Sequence, residues 1–454
     1  GVMLAMGAIG GVAGAILRSI PSRFQRPILV GISAVALLGL LEDLIRIVLS
    51  SSPNILDATR WMFASGVESG LTVVGAVVVF GVFAVASFFW GNVRSGAQGR
   101  VAAMPSGTRR GIVLGSYVVF IVLLLVLPRI LGSYLSEVNN SVGLFLVMAL
   151  GLNIVVGYAG LLDLGYVAFF AIGAYTMGVL TTTAIGPEAG QIVWGAGMTF
   201  WQALPFSIGA TILAGVILGV PVLRMRGDYL AIVTLGFGEI VRIMALSDTL
   251  KPFIGGSQGI VEPAVPTIGT TTLNTPQTLY YLILIAAAVA IFISVRLRDS
   301  RQGRSWMAMR EDEDVAQAMG IHLVPTKLLA FATGAALAGL SGAIFASKVG
   351  SIYPHSMNLL VSINVLAIVI IGGMGSIPGV VAGALALYGL PELLREFSEY
   401  RYFVFGALLV AMMLFRPEGL WPEASRRREL HGTDEPEGEL PAEAVAADGP
   451  VSGS

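Results

Sequence analysis

Four consecutive carboxylates, Glu311, Asp312, Glu313 and Asp314, stand in a chain of which only 12% is charged, and they follow a run of arginines at 296, 298, 301, 304 and 310. The stretch from Glu311 to Gly320 reads EDEDVAQAMG. Acidic residues at a helix start complement its free amides and the positive end of its dipole. Val315, Ala318 and Met319 fall at i, i+3 and i+4 and make one small apolar face. Gly320 suits the left-handed residue that closes a helix, and Pro325 blocks its continuation. The spacing predicts a helix of about two to three turns, too short to hold by itself in water. Such a helix leans on a neighbour, either the protein's own loops or another chain. Its chemistry is that of docking.

Two other constellations place polar groups inside oily sequence. In RMRGDYLAIVTLGFGEIVRIM (224–244), Glu239 and Arg242 lie three apart on one helix, with Asp228 at its start. Ionisable groups in an apolar helix usually pair with one another or face a polar cavity, so the two either neutralise each other or line a path. In GLNIVVGYAGLLDLGYVAFFAIGAYTMG (151–178), Gly157, Gly160, Gly165, Gly173 and Gly178 interrupt an apolar run with Asp163 at its middle. Glycines let helices approach closely in lipid, and backbone they open must line protein or water. A related texture recurs in VLAIVIIGGMGSIPGVVAGA (365–384), and the two segments could be halves of an inverted repeat flanking a translocation path. Asn153, Gly157, Gly160, Asp163, Gly165, Glu239, Arg242, Gly372, Gly373 and Gly375 are the candidate path residues. The glycine-rich FIGGSQGI (253–260) is a candidate surface for an external receptor.

The elements that carry these groups are membrane helices. The chain has 454 residues, 55% of them hydrophobic, with 57 glycines and a mean hydropathy of +0.82. Soluble domains are about 25% charged, so the composition is that of a polytopic membrane protein. A net charge of −1 gives nucleic acid nothing to bind, and the absence of cysteine excludes disulfides and thiol chemistry. His322, His355 and His431 are too scattered for a metal site. Segments of about 20 apolar residues fall near 1–17, 28–49, 71–90, 111–131, 141–159, 164–183, 204–222, 229–247, 279–296, 328–347, 359–373, 378–394 and 401–415. Residues 1–17 lack the basic start of a signal peptide and read as a span.

The expected fold is an all-α helical bundle of about ten core spans plus about three extra N-terminal ones, some broken or re-entrant. Residues 1–110 form the N-terminal region and its linker, 111–422 the core, and 423–454 a Pro, Glu and Ala-rich tail expected to be disordered. Arginines gather in alternate loops, and threading the spans puts every basic cluster, the 296–327 segment and the C-terminus on the cytoplasmic side. There is no GxxxxGK[ST], and HExxH and GxSxG are also missing. The reading is therefore a transport subunit, not an enzyme, whose energy source is bound elsewhere.

GLNIVVGYAGLLDLGYVAFFAIGAY, LRMRGDYLAIVTLGFGEIVRI, GGSQGI, AMREDEDVAQAMGI, KLLAFATGAALAGLSGAI, IGGMGSIPGVVAGAL and LLVAMMLFRPEGL resemble, in order, segments of the LivM-type permease subunits of branched-chain amino acid ABC transporters. The resemblance covers roughly 139–420. It implies a multi-pass protein of the bacterial plasma (inner) membrane that pairs with a homologous permease. Two cytoplasmic subunits bind ATP and Mg and drive the pair, this chain itself holding no cofactor, and an extracytoplasmic binding protein delivers leucine, isoleucine or valine. By resemblance Glu311, Asp312, Glu313, Ala316 and Gly320, with Met319 on the same helix, contact the ATPase. The chain departs from the family in residues 1–110 and in Leu161 and Leu162, where polar residues are common. The competing readings are an importer for urea or short amides, an ion-coupled secondary transporter using Glu239, and a membrane scaffold.

Overall fold

The computed structural model of the protein describes residues 22–40, 60–62, 71–102, 106–182, 195–222, 225, 227–389, 406, 410, 414 and 419–421. The expected span at 1–17, nearly all of the one at 401–415, and the tail 423–454 lie outside them. Helices dominate the described residues. They are α1 (Ser22–Leu40), α2 (Val73–Ala102), α3 (Ser106–Leu152), α4 (Val167–Thr181), α5 (Phe200–Val222), α6 (Asp228–Leu246), α7 (Pro276–Arg298), α8 (Arg301–Glu311), α9 (Glu313–Ala318), α10 (Leu323–Val349), α11 (Leu359–Gly372) and α12 (Ile377–Ala384). Among the described residues six apolar stretches are long enough to cross a membrane, Gly132–Tyr158, Phe200–Pro221, Tyr229–Leu246, Pro276–Arg298, Leu323–Val349 and Pro354–Gly372. Four shorter apolar helices accompany them, Val73–Ser87, Tyr117–Ile130, Val167–Thr181 and Ile377–Gly389. The all-α polytopic architecture expected from composition is the one found.

Some boundaries differ, for physical reasons. Residues 132–140, which fall between the expected spans 111–131 and 141–159, are helical. Only Gly132 departs from helical geometry (φ 71°), and the Ser136 hydroxyl donates to its carbonyl at 2.7 Å. The backbone group freed by the kink is therefore bonded within the segment. The span expected at 28–49 appears as α1, beginning at Ser22. The 91–110 stretch, expected as a linker, is helical through Ala102.

The chain forms two compact units, one of residues 1–138, 275–281 and 392–396, the other of 139–274, 282–391 and 397–454. In the first, α1 packs on α2 closely enough that a Cβ on Gly31 would lie 2.7 Å from the Phe80 ring. Tyr280 and Tyr281 donate to the Leu124 and Leu125 carbonyls at 3.1 and 3.0 Å.

The second unit is organised around α10. One side of this helix is a stripe of buried small residues, Gly334, Ala335, Ala338, Gly339, Gly342, Ala343 and Ala346. Lipid offers no hydrophobic drive between helices, so association rests on close backbone packing. A Cβ on Gly342 would collide with the Phe170 carbonyl, and one on Gly173 would lie 2.6 Å from the Gly339 Cα. Hydrogen bonds cross the same contacts, from the Tyr166 hydroxyl to Gly334 O (2.7 Å) and from the Ser341 hydroxyl to Leu144 O (2.9 Å).

The turns of this unit gather at two ends. At one, β1 (Ile260–Val261) pairs antiparallel with β4 (Ser351–Ile352), while β2 (Thr267–Ile268) and β3 (Thr271–Thr272) form a hairpin. The Trp201 indole donates to Thr267 O (2.7 Å), and the Ser347 hydroxyl to Ala264 O (2.8 Å). Gly259 in the glycine-rich loop (φ 72°) runs so close to Ile352 that no Cβ would fit. At the other end lie the turns 159–166 and 373–376, residues 419–421, and α8 with α9.

Gly342→Leu forces a branched side chain into the α10–α4 backbone contact and is expected to cost at least about 1–3 kcal/mol. Gly209→Ala, where a Cβ meets nothing within 4 Å, is expected to stay within about 0.5 kcal/mol of the parent. Thermal melting in detergent checks both.

Candidate functional site

At the second end the polar segment 296–327 is folded into two helices fixed to the spans. The Ser300 hydroxyl caps α8 by accepting from Gly303 N (3.2 Å). The Trp306 side chain is fully buried and its indole donates to Thr326 O at 2.8 Å, fastening α8 to the start of α10. Asp312 is extended, and its carboxylate caps α9 by accepting from Asp314 N (2.8 Å) and Val315 N (3.0 Å). Gly320 (φ 89°) closes the helix, with Ile321 N donating back to Ala316 O at 3.0 Å. The cap and the stop expected from the sequence are there, but the helix is one of six residues, separated from α8 by Asp312.

The orientation of α9 departs further from its sequence pattern. Ala316 is the residue that packs inward, whereas Val315 is 59% and Met319 80% exposed. The small apolar face of Val315, Ala318 and Met319, expected to lean on the protein's own loops or on another chain, is thus open on this chain. Glu311, Asp312 and Asp314 are also exposed. Glu313 turns the other way and pairs with Lys327, 1% exposed, at 2.8 Å. Of the six expected coupling residues, Glu311, Asp312, Met319 and Gly320 reach the surface. Ala316 and Glu313 hold the helix down.

The path candidates in 151–165 and 365–384 are brought together by helix breaks. Residues Asn153–Tyr158 form a π-helical turn ending α3. Inside it the buried Asn153 carbonyl oxygen of the side chain accepts from Gly375 N (2.8 Å), joining the two glycine-rich segments. The Arg310 guanidinium of α8 donates to Gly157 O at 2.7 Å. Gly160 (φ 70°) lies under the same arginine, where a Cβ would be 2.6 Å from Arg310 Cγ. Gly165 runs against the Thr234 carbonyl of α6. Gly372 packs on Gly379 to make α11 and α12 a tight hairpin, and Trp421 N donates to Gly372 O (3.1 Å). Gly373 (φ 113°) and Gly375 (φ 84°) form its turn.

Asp163 is fully buried in the turn between two spans, its Oδ1 accepting from Gly165 N at 2.9 Å. Burial pushes its carboxyl up to about 7, against the smaller opposing effects of the Gly165 amide and the Thr234 hydroxyl. Glu239 and Arg242 are ion-paired on α6, apart from this cluster.

Sequence reasoning missed three of these residues. Arg310 reads as a topology marker, Lys327 as a span flank and Trp306 as ordinary apolar sequence. Lys327 did carry a signal, being one of only three lysines and lying just inside α10. No group of residues suited to a metal occurs among the described residues, and His431 lies outside them.

A polytopic helical protein with broken spans and a polar helical segment anchored to them has the architecture of a membrane transport protein. The sequence model for the permease component of branched-chain amino acid transport systems matches residues 134–413, and the chain belongs to that family. It is 39% identical over 330 residues to the high-affinity branched-chain amino acid permease LivM of Escherichia coli (strain K12), covering 67% of this chain and 74% of that protein. It is 25% identical over 311 residues to LivH of the same organism, covering 63% of this chain and 95% of LivH. A probable LivM of Methanocaldococcus jannaschii is 24% identical over 323 residues. No solved structure matches the chain.

Removing one partner of a buried ion pair strands the other charge, so Lys327→Met is expected to destabilise by about 3–5 kcal/mol. Lys327→Met with Glu313→Leu should recover most of that loss, and melting curves of the three proteins decide it. For Asp163 the folded carboxyl titrates far above its ordinary value of 3.8. The stability it contributes is complete at acid pH and is lost as pH rises through about 7. Asp163→Asn, which mimics the protonated acid, should flatten the fall in melting temperature between pH 5 and 8 that the parent shows.

Proposed function

We propose that this permease subunit imports leucine, isoleucine or valine as half of a pair with a homologous permease, and that a cytoplasmic ATPase seats on α9. The observation that carries the reading is the exposed Val315–Met319 face, ringed by Glu311, Asp312 and Asp314, on a helix otherwise pinned to the protein. A helix this short is stable only when seated against something. Its inner side is held by Ala316 and Glu313, and its outer side fits a groove on a partner chain. The arginine pattern puts this end, and the C-terminus, in the cytoplasm. At the opposite end the β1–β4 pair and the 253–260 loop form the surface offered to a binding protein.

The anchors explain how motion would pass inward. A pull on α9 acts on α10 through Glu313–Lys327 and Trp306–Thr326, and on the break in α3 through Arg310 and Gly157. From that break Asn153 reaches the α11–α12 turn through Gly375. Rigid helices joined at such breaks rock as units, which alternating access requires.

Arg310→Met keeps the stem of the side chain and removes the bond to Gly157 O. In proteoliposomes holding the whole transporter it is expected to lower leucine uptake at least tenfold while ATP hydrolysis stays within about twofold of the parent. Val315→Asp with Met319→Asp should instead abolish ATPase co-purification. Undiminished co-purification and uptake in that double variant would refute the seat.

A further inference from the structure

Glu239 and Arg242 form a two-bond ion pair on α6, with Arg242 Nε donating to Glu239 Oε2 at 2.9 Å and Nη2 to Oε1. The pair is open: the side chains are 45% and 29% exposed, on a helix whose other strongly exposed large residues are Tyr229, Ile232, Ile240, Ile243 and Met244. A charge that faces lipid within a span is costly. An arginine that faced lipid would lower this cost by reaching for the near membrane surface, here the Leu246 end. Arg242 instead turns back along the helix toward Glu239, away from that end. Ionisable groups within a span usually face the bundle interior or a water-filled cavity.

What surrounds the pair has the shape of a small site. Glu239, Arg242, Ile232, Ile243 and Gly236 fall within one side of the helix at 100° per residue. Ile232 and Ile243 are exposed, and at Gly236, one turn inward from Glu239, a Cβ would meet nothing within 4 Å. Two opposite charges thus stand side by side, with a notch beneath them and branched aliphatic walls around them.

We infer that Glu239 and Arg242 form a transit site for the zwitterionic head of an aliphatic amino acid. The guanidinium would take the α-carboxylate through its planar fork, and the Glu239 carboxylate the α-ammonium. The isoleucines and the Gly236 notch would receive the side chain. Without substrate the two residues neutralise each other, so the site is not left with bare charge. Substrate replaces one ion pair by two of the same kind, which keeps binding weak enough for release. A neutral amide or urea offers neither charge and cannot open the pair. The inference rests on the reading of the chain as an amino acid permease and assigns that reading a site.

The test is leucine uptake by the whole transporter carrying Glu239→Gln, Arg242→Gln, or both. A merely structural pair predicts that each single variant is impaired and the double variant recovers, because removing both partners leaves no stranded charge. A substrate site predicts that the double variant stays at least tenfold slower than the parent while its partner permease and ATPases still co-purify. A double variant within tenfold of the parent, or one that has lost its partner permease, overturns the site. If the double variant is absent from the membrane, Arg242→Lys decides. It keeps the charge without the fork and is expected to slow uptake at least threefold, and the parent's rate would overturn the inference. Should the parent itself take up no leucine, the permease reading fails first.

Discussion

Breaking a helix inside a membrane frees backbone donors and acceptors that lipid cannot bond, and the second unit depends on how those groups are satisfied. The Gly157 carbonyl, released at the π-helical end of α3, is taken by the Arg310 guanidinium. The Gly375 amide, released where α11 ends, is taken by Asn153. The Ile371 and Gly372 carbonyls accept from Leu420 and Trp421. Each bond closes one break by tying it to another segment. The places where the spans bend are thereby the places where they are joined, and joints of that kind can transmit movement without unravelling.

The same economy shapes the polar helices. α8 and α9 are too short to persist alone, and the bonds that hold them go to the bottom of α10 and the end of α3. Because α10 packs through glycine and alanine against α4 and α5, it moves as part of a block. Close-packed interiors pass displacement on and do not absorb it. The exposed part of α9 is correspondingly small, a few side chains on a helix that cannot shift without shifting the spans.

The charged groups divide by environment. Lys327 is buried and paired with the half-buried Glu313, Asp163 is buried with its carboxyl pushed up, and the acidic rim of α9 is exposed. Glu239 and Arg242 belong to none of these classes, being paired yet exposed on an apolar span.

Composition and hydropathy suffice for the all-α membrane class, because span length and apolar content are local properties of the chain. The acidic start and the Gly320 stop of α9 were equally legible, since helix ends depend on neighbours a few residues away. Which side of α9 faces outward was not, because Val315 and Ala316 are both apolar and only the position of α10 decides which one it covers. The roles of Arg310, Lys327 and Asn153 were hidden for the same reason. Their partners lie at Gly157, Glu313 and Gly375, between 14 and 222 residues away in sequence. The chain's pattern determined what each segment is. Long-range packing alone decided which freed backbone group each polar side chain would serve.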